Sequence, residues 1–488
     1  MKATVKALCL LLALLILIPL SACSDPGEDA GETETSVPAT EADTADPVTR
    51  ALEELGDVDW GGETFTIVYT DALWEELKAI NGTVGGDSQG SQVINDAVYT
   101  RNRLFEERCK LTLGIAEKAD CEGAIRSDVQ AGGSEYDLYW TYAWATVNLL
   151  TSGYLYSLPD LGIDLDGPWW DAGTAGFALN GKVYFMNGSH NFSDDNMTYV
   201  LMFNKEMART YQVPDLYALA RGGDWTLDQF GTVIQGVSSE NGDGKWNEND
   251  TYGFVGLEGF SKTLFYGSGL QFVINEPDMD APELYLDDSG HMDKAVRVMD
   301  KIRSIYHDGS ATLCWPEAQA QVAMNVFLEG RGLFYGEIAS YLGGLNRNME
   351  GDYGVVPVPK YDKQQEKYFT YTYKGSGTLS VPSSVKDEDR ETVAGVVTTF
   401  VLLSDTTVKP AYYDTMLTSR NVRDADSAEM LDILFGNRLY DLAMYFDLGF
   451  EELPKTAMLA TDNNFMSGYT KSAKNFDKKI ERMLKSLK

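Results

Sequence analysis

Hydrophobic positions along this 488-residue chain fall into three regimes. Ala7 to Leu20 is an almost unbroken apolar run behind Lys2 and Lys6. From Ser24 to Thr49 there are eight acidic residues, no Lys or Arg and no aromatic, and Pro26, Gly27, Gly31, Pro38 and Pro47 interrupt any helix. From about residue 60, apolar residues return at the spacings of strands and helices. Phe65, Ile67 and Tyr69 alternate as one face of a strand. Val93, Ile94, Ala97, Val98, Leu104 and Phe105 recur at helical spacing. Residues 111–115 read as a second strand, 119–131 as a helix and 136–140 as a third strand. This β-α-β-α-β order predicts a mostly parallel, doubly wound sheet whose ligands sit beyond the carboxyl ends of its strands.

A second α/β region opens with a strand at 199–204 leading into a helix at 205–210. Thr226 is placed to cap a further helix. Residues 292–306 and 319–328 read as helices, and 332–338, 353–358 and 378–381 as strands. Beyond residue 387 the pattern is helical: through 403, over 427–446 and over 472–487. No short internal repeat is present.

The opening run is too short for a comfortable membrane span and ends in Leu20-Ser21-Ala22-Cys23. That ending resembles the lipobox of exported bacterial lipoproteins. It implies cleavage after residue 22, lipid on Cys23 and attachment to the outer face of the cytoplasmic membrane. The acidic stretch behind it cannot bury enough apolar surface to offset its ordering entropy, and its like charges extend it. It reads as a disordered tether, ending before residue 60.

Composition adds exclusions. The formal charge is −34, which argues against nucleic acid or anionic lipid as partner. Beyond Cys9 and Cys23, three cysteines remain. Cys109 and Cys121 could bridge neighbouring elements and leave Cys314 odd; three buried free thiols is the other reading.

Several local patterns, taken in order, resemble the solute-binding proteins of ABC importers, the group that includes maltose-binding protein. Asn102-Arg103-Leu104-Phe105-Glu106-Glu107 before Leu111-Thr112-Leu113 is similar to the family's first helix and second strand. Gly181-Lys182-Val183-Tyr184 and then Phe203-Asn204-Lys205 resemble its first crossover. Asp224-Trp225-Thr226-Leu227-Asp228-Gln229-Phe230 resembles a characteristic helix start. Gly330 to Tyr335 and Tyr353 to Pro359 resemble its return strands. The resemblance implies a two-lobed periplasmic-binding-protein-like α/β fold, each lobe a doubly wound sheet flanked by helices, with a helical C-terminal region. The expected layout is a signal peptide at 1–22, the lipidated tether at 23–59, lobe one at 60–190 and 326–380, and lobe two at 191–325 and 381–488. The function it implies is capture of a carbohydrate, expected to be an oligosaccharide, by a monomeric, non-catalytic receptor that serves a membrane permease. A surface glycoside hydrolase, or a receptor for peptides or another polar solute, is the competing reading.

Sugar recognition needs flat rings for C–H faces and carboxylates for hydroxyls. Trp140, Tyr142, Trp170, Phe265, Tyr266, Tyr341 and Tyr373 fall at expected strand ends or loops facing the crevice, with Asp194, Asp195 and Glu337 as carboxylates. No cofactor is required by this function. The segment from Asn241 to Asp250 resembles an EF-hand-type loop, in which Asn241, Asp243, Lys245, Asn247 and Asp250 would hold a structural calcium ion around a turn at Gly244. It departs from that pattern at Ser239, where the first Asp belongs, and at Asp250, which replaces a bidentate Glu.

Enzyme motifs are weak. Gly86-Asp87-Ser88-Gln89-Gly90 matches G-x-S-x-G, but a Gly-rich loop precedes it where a strand is required. Gly176 to Lys182 has Walker-like glycines, but Val183 replaces the Ser or Thr that would hold magnesium. Three histidines without an H-E-x-x-H spacing give no zinc hydrolase signature.

Overall fold

The computed structural model describes residues 46–70, 93–133, 135–275, 279, 281–414 and 424–487. Cys23, the acidic stretch up to Ala45 and the Gly86–Gly90 motif lie outside the described residues.

Two five-stranded sheets organise the body. The first runs in the order Thr112–Lys118, Thr64–Thr70, Leu138–Tyr142, Gly377–Ser380, Phe185–Met186. Its first three strands are parallel, as the βαβ pattern predicts; Gly377–Ser380 runs antiparallel to them, and Phe185–Met186 pairs antiparallel with Gly377–Ser380. Both faces are covered. Phe65, Ile67, Leu138, Trp140 and Leu379 meet helices Val93–Cys109 and Arg390–Asp414, while Val68 and Tyr139 meet Cys121–Ala131 and Ala143–Thr151. Cys109 lies in one of these cores and Cys121 in the other, so both thiols are free and buried. Burial pushes Cys109, Cys121 and Cys314 up to about 12, which leaves them protonated and unreactive.

The second sheet runs Tyr353–Val356, Tyr199–Asn204, Gly332–Ile338, Tyr252–Leu257, Thr312–Trp315. Gly332–Ile338 is parallel to Tyr252–Leu257 and antiparallel to Tyr199–Asn204. Asn204 ends its strand and caps helix Lys205–Thr210, accepting the N–H groups of Glu206 and Met207 at 2.9 Å each. Thr226 caps helix Leu227–Gln235, and Trp225 beside it is buried, its Nε1 donating to the Pro357 carbonyl at 2.8 Å.

The structure corrects three expected boundaries. Strands Gly332–Ile338 and Tyr353–Val356, expected in lobe one at 326–380, complete the second sheet, and only Gly377–Ser380 returns to the first. Region 381–488 is expected in lobe two, but its longest helix, Arg390–Asp414, packs on Val93–Cys109 of the first lobe. The later helices Leu453–Leu459 and Phe465–Ala473 do cover Phe260–Gly267 and Ser289–His307 of the second. The tether is expected to run to residue 59, yet Pro47–Leu55 is a helix. Asp46 caps it, Pro47 sits where no N–H is needed, and Val48 and Leu52 are buried against Arg390–Asp414. The continuous helix read over 427–446 breaks into Ala425–Phe435, the short strand Arg438–Leu439 and Leu442–Tyr445.

Candidate functional site

The chain passes between the sheets on segments that pair with each other. Thr198 and Thr372 form an antiparallel bridge, and Thr370–Tyr371 pairs in parallel with Arg438–Leu439. Beside this junction the first lobe meets the second: Tyr142 and Ala145 pack with Met197 and Ile338, and Tyr199, Tyr341 and Tyr373 close around them.

A cavity of about 580 Å³ opens here, on the edge where strands Tyr252–Leu257 and Gly332–Ile338 present their carboxyl ends. That volume lies in the range of small-molecule sites, and the position obeys the rule for parallel strands. Three of the sequence candidates, Glu337, Tyr341 and Tyr373, line it together. Tyr199 and Phe260, which sequence reading did not single out, supply further ring walls. Tyr199 stacks on Tyr371 at 4.8 Å between centroids and meets Phe260 edge-on at 6.2 Å. Gly336 makes this wall possible: a Cβ there would stand 2.5 Å from the Phe260 ring.

Charges complete the lining. Lys262 donates to Glu452 at 2.7 Å, and Lys455 pairs with Glu452 at 2.5 Å and Glu317 at 3.5 Å. Burial works against the Glu452 charge, but both lysines hold its carboxyl below the usual range. Glu337 differs. Burial pushes it up to about 7, opposed by the Ile338 N–H that donates to Oε1 at 2.9 Å.

Other candidates lie elsewhere. Trp170, Asp194 and Asp195 line a separate cavity of about 400 Å³ with Asp171, Lys409 and Arg438. There Arg438 pairs with Asp171 at 2.7 Å, Asp194 at 3.4 Å and Asp195, while Tyr440 donates to Asp171 at 2.8 Å. Three carboxylates thus share one guanidinium. Burial, with Asp195 and Asp171 beside it, pushes Asp194 up to about 8 against the pull of Arg438. Asp194 and Asp195 are therefore held inside the protein against Arg438, a residue no local pattern could nominate.

Four aromatic assignments change. Phe265 and Tyr266 are fully buried on helix Phe260–Gly267; Phe265 stacks on Phe272 at 5.0 Å, and Tyr266 donates to Asp441 at 3.1 Å. They are core because the C-terminal helices cover them. Trp140 is buried against His190, whose neutral ring burial holds down at about 3. Tyr142 is buried at the lobe junction and stacks at 5.8 Å on Trp144, which is 41% exposed.

The loop at 239–251 is closed by its own backbone. Asn241 and Asn247 donate their N–H groups to the two oxygens of buried Asp250, at 2.9 and 2.7 Å. Asn241 accepts from Asp243 N–H at 3.1 Å, Asp243 from Lys245 N–H at 2.8 Å, and Ser239 bridges Thr251. Among the described residues, no group of three or more His, Cys, Asp or Glu is gathered to hold a metal. The Walker-like glycines form a tight turn instead: Leu179 and Lys182 exchange backbone hydrogen bonds around Asn180 and Gly181, both at positive φ.

Two five-stranded sheets flanked by helices and joined by paired crossovers define the two-lobed periplasmic-binding-protein-like fold, with the cavity at the carboxyl edge of the second sheet. Solved structures share it. A family 1 extracellular solute-binding protein from Bifidobacterium longum subsp. infantis matches with a TM-score of 0.54 and 14% identity, over 86% of this chain and 99% of that one. A cyclo/maltodextrin-binding protein complexed with maltotetraose matches at 0.53 and 13%, over 86% and 96%. UgpB from Mycobacterium tuberculosis, in complex with glycerophosphocholine, matches at 0.52 and 15%, over 81% and 100%. No family model matches the chain, and no curated protein matches it.

Proposed function

We propose that this protein is an extracellular solute receptor that takes a carbohydrate between its lobes, without turning it over, and delivers it to an ABC permease. The observation that carries this reading is the cavity at the carboxyl edge of the second sheet, where Tyr199, Phe260, Tyr341 and Tyr373 surround Glu337. Flat rings and a buried carboxyl suit a polyhydroxyl ligand. Its similarity in fold to a maltodextrin-binding protein supports the same class. The competing hydrolase would need a free acid and base pair, whereas Glu317 and Glu452 are engaged by lysines. Lipid on Cys23 would hold this receptor at the outer face of the membrane.

Thermal shift and calorimetry against an oligosaccharide panel test the reading. Saturable stabilisation with no product release supports it, because a ligand that binds only the folded state raises the melting temperature. Release of a shortened sugar would move the assignment to the hydrolase. Calcium in the loop at 239–251 is a separate proposal, checked by a calcium-dependent melting shift that Asp243→Ala removes.

A further inference from the structure

We propose that the solute held in this cavity carries a protonated amino group that seats against Glu337, as on an amino sugar. This deepens the receptor reading and rests on it.

Glu317, Glu337, Glu451 and Glu452 line the cavity, with Lys262 and Lys455. Lys262 and Lys455 converge on Glu452, and Lys455 reaches Glu317. Lys374 pairs with Glu451 at 2.5 Å. Three lysines therefore answer three carboxylates. Glu337 has no cation partner among the described residues. It is only 7% exposed, and the hydrogen bond its carboxyl accepts comes from the N–H of its neighbour Ile338. The titratable groups that face it are Glu317, Tyr199 and Tyr335, which are acids or neutral phenols.

A buried carboxyl left this way is costly once ionised, unless a partner arrives. A ligand ammonium would be that partner, giving a charge-assisted hydrogen bond about twice as strong as a neutral one. The surrounding rings also favour a cation over their faces. A sugar hydroxyl can also donate to the Glu337 carboxylate, but it brings no positive charge to balance it. Because burial raises the Glu337 pKa, seating an ammonium there drives its proton into solvent, whereas a neutral sugar leaves the proton in place.

The test is isothermal calorimetry on the full chain at pH 6.5, with di- to tetrasaccharides in matched amine, N-acetyl and hydroxyl forms. Two buffers of different ionisation heat report proton release. The amine forms should bind at least tenfold more tightly than their matched partners and release protons. Glu337→Gln should erase both the preference for the amine forms and the proton release. Equal binding of all three forms without proton release would overturn the proposal and leave the receptor reading standing. An equal loss for every form in Glu337→Gln would do the same. No binding by any saccharide would overturn both.

Discussion

Arg438 and Asp171 are 267 residues apart in the chain, yet their side chains meet at 2.7 Å. The same guanidinium serves Asp194 and Asp195 at the crossover from the first sheet to the second. Removing it would leave buried Asp194 and Asp195 and half-buried Asp171 facing one another. Arg438→Met should therefore destabilise the protein by about 3–5 kcal/mol, the range for stripping one partner from a buried ion pair. Urea denaturation of the purified variant measures this. A loss within experimental error of zero would show that the cluster is not a structural tie.

Asp194 in that cluster makes stability depend on pH. Its carboxyl is raised to about 8 in the folded protein against about 3.9 when unfolded. Between those values the folded state holds the extra proton, so stability is fully present below about 4 and falls as pH rises towards 8. The slope from one such group approaches about 1.4 kcal/mol per pH unit. Asp194→Asn should lose that part of the slope and gain on wild type as pH rises from 5 to 8. Denaturation midpoints at pH 5, 6.5 and 8 decide it, and a variant that falls as steeply as wild type contradicts the assignment.

The features legible in the sequence were local ones. The alternation of Phe65, Ile67 and Tyr69 names a buried strand face, and Asn204 and Thr226 cap helices because a cap needs only its next three residues. Which sheet a strand joins is not local. All seven residues of Gly332–Ile338 are buried, which marks a central strand but not its neighbours. The candidate site divided the same way. Glu337 and Tyr341 could be found because they follow a strand towards its carboxyl end, where ligands collect. Phe265 and Tyr266 misled because helices some 190 residues later cover them. Lys262, Glu317, Glu452 and Lys455 gave no signal, since their pairing joins three distant segments.

The N-terminal helix offers a direct check on where the folded body begins. Val48 and Leu52 are buried, and Arg108 donates to the Leu52 carbonyl at 2.7 Å. Burying two aliphatic side chains contributes about 1.5–3 kcal/mol each before ordering costs. A chain beginning at Thr44 should melt like one beginning at Cys23, whereas one beginning at Val58 should lose about 2–4 kcal/mol. Equal melting of all three chains would show that this helix does not support the first lobe.

Glu337 gives the sharpest stability test of the cavity without any ligand. Its carboxyl titrates at about 7 in the folded protein and about 4.3 when unfolded. The folded state therefore keeps a proton that the unfolded chain releases, and stability falls as pH rises from about 4.3 to 7. Glutamine keeps the shape and cannot ionise. Glu337→Gln should match wild type near pH 4.5 and exceed it by roughly 2–4 kcal/mol at pH 8, each tenfold difference in proton affinity being worth about 1.4 kcal/mol. Paired denaturation curves at the two pH values read this difference. If the variant is less stable at pH 8, the Glu337 charge is already compensated within the protein, and the vacancy proposed for an ammonium group does not exist.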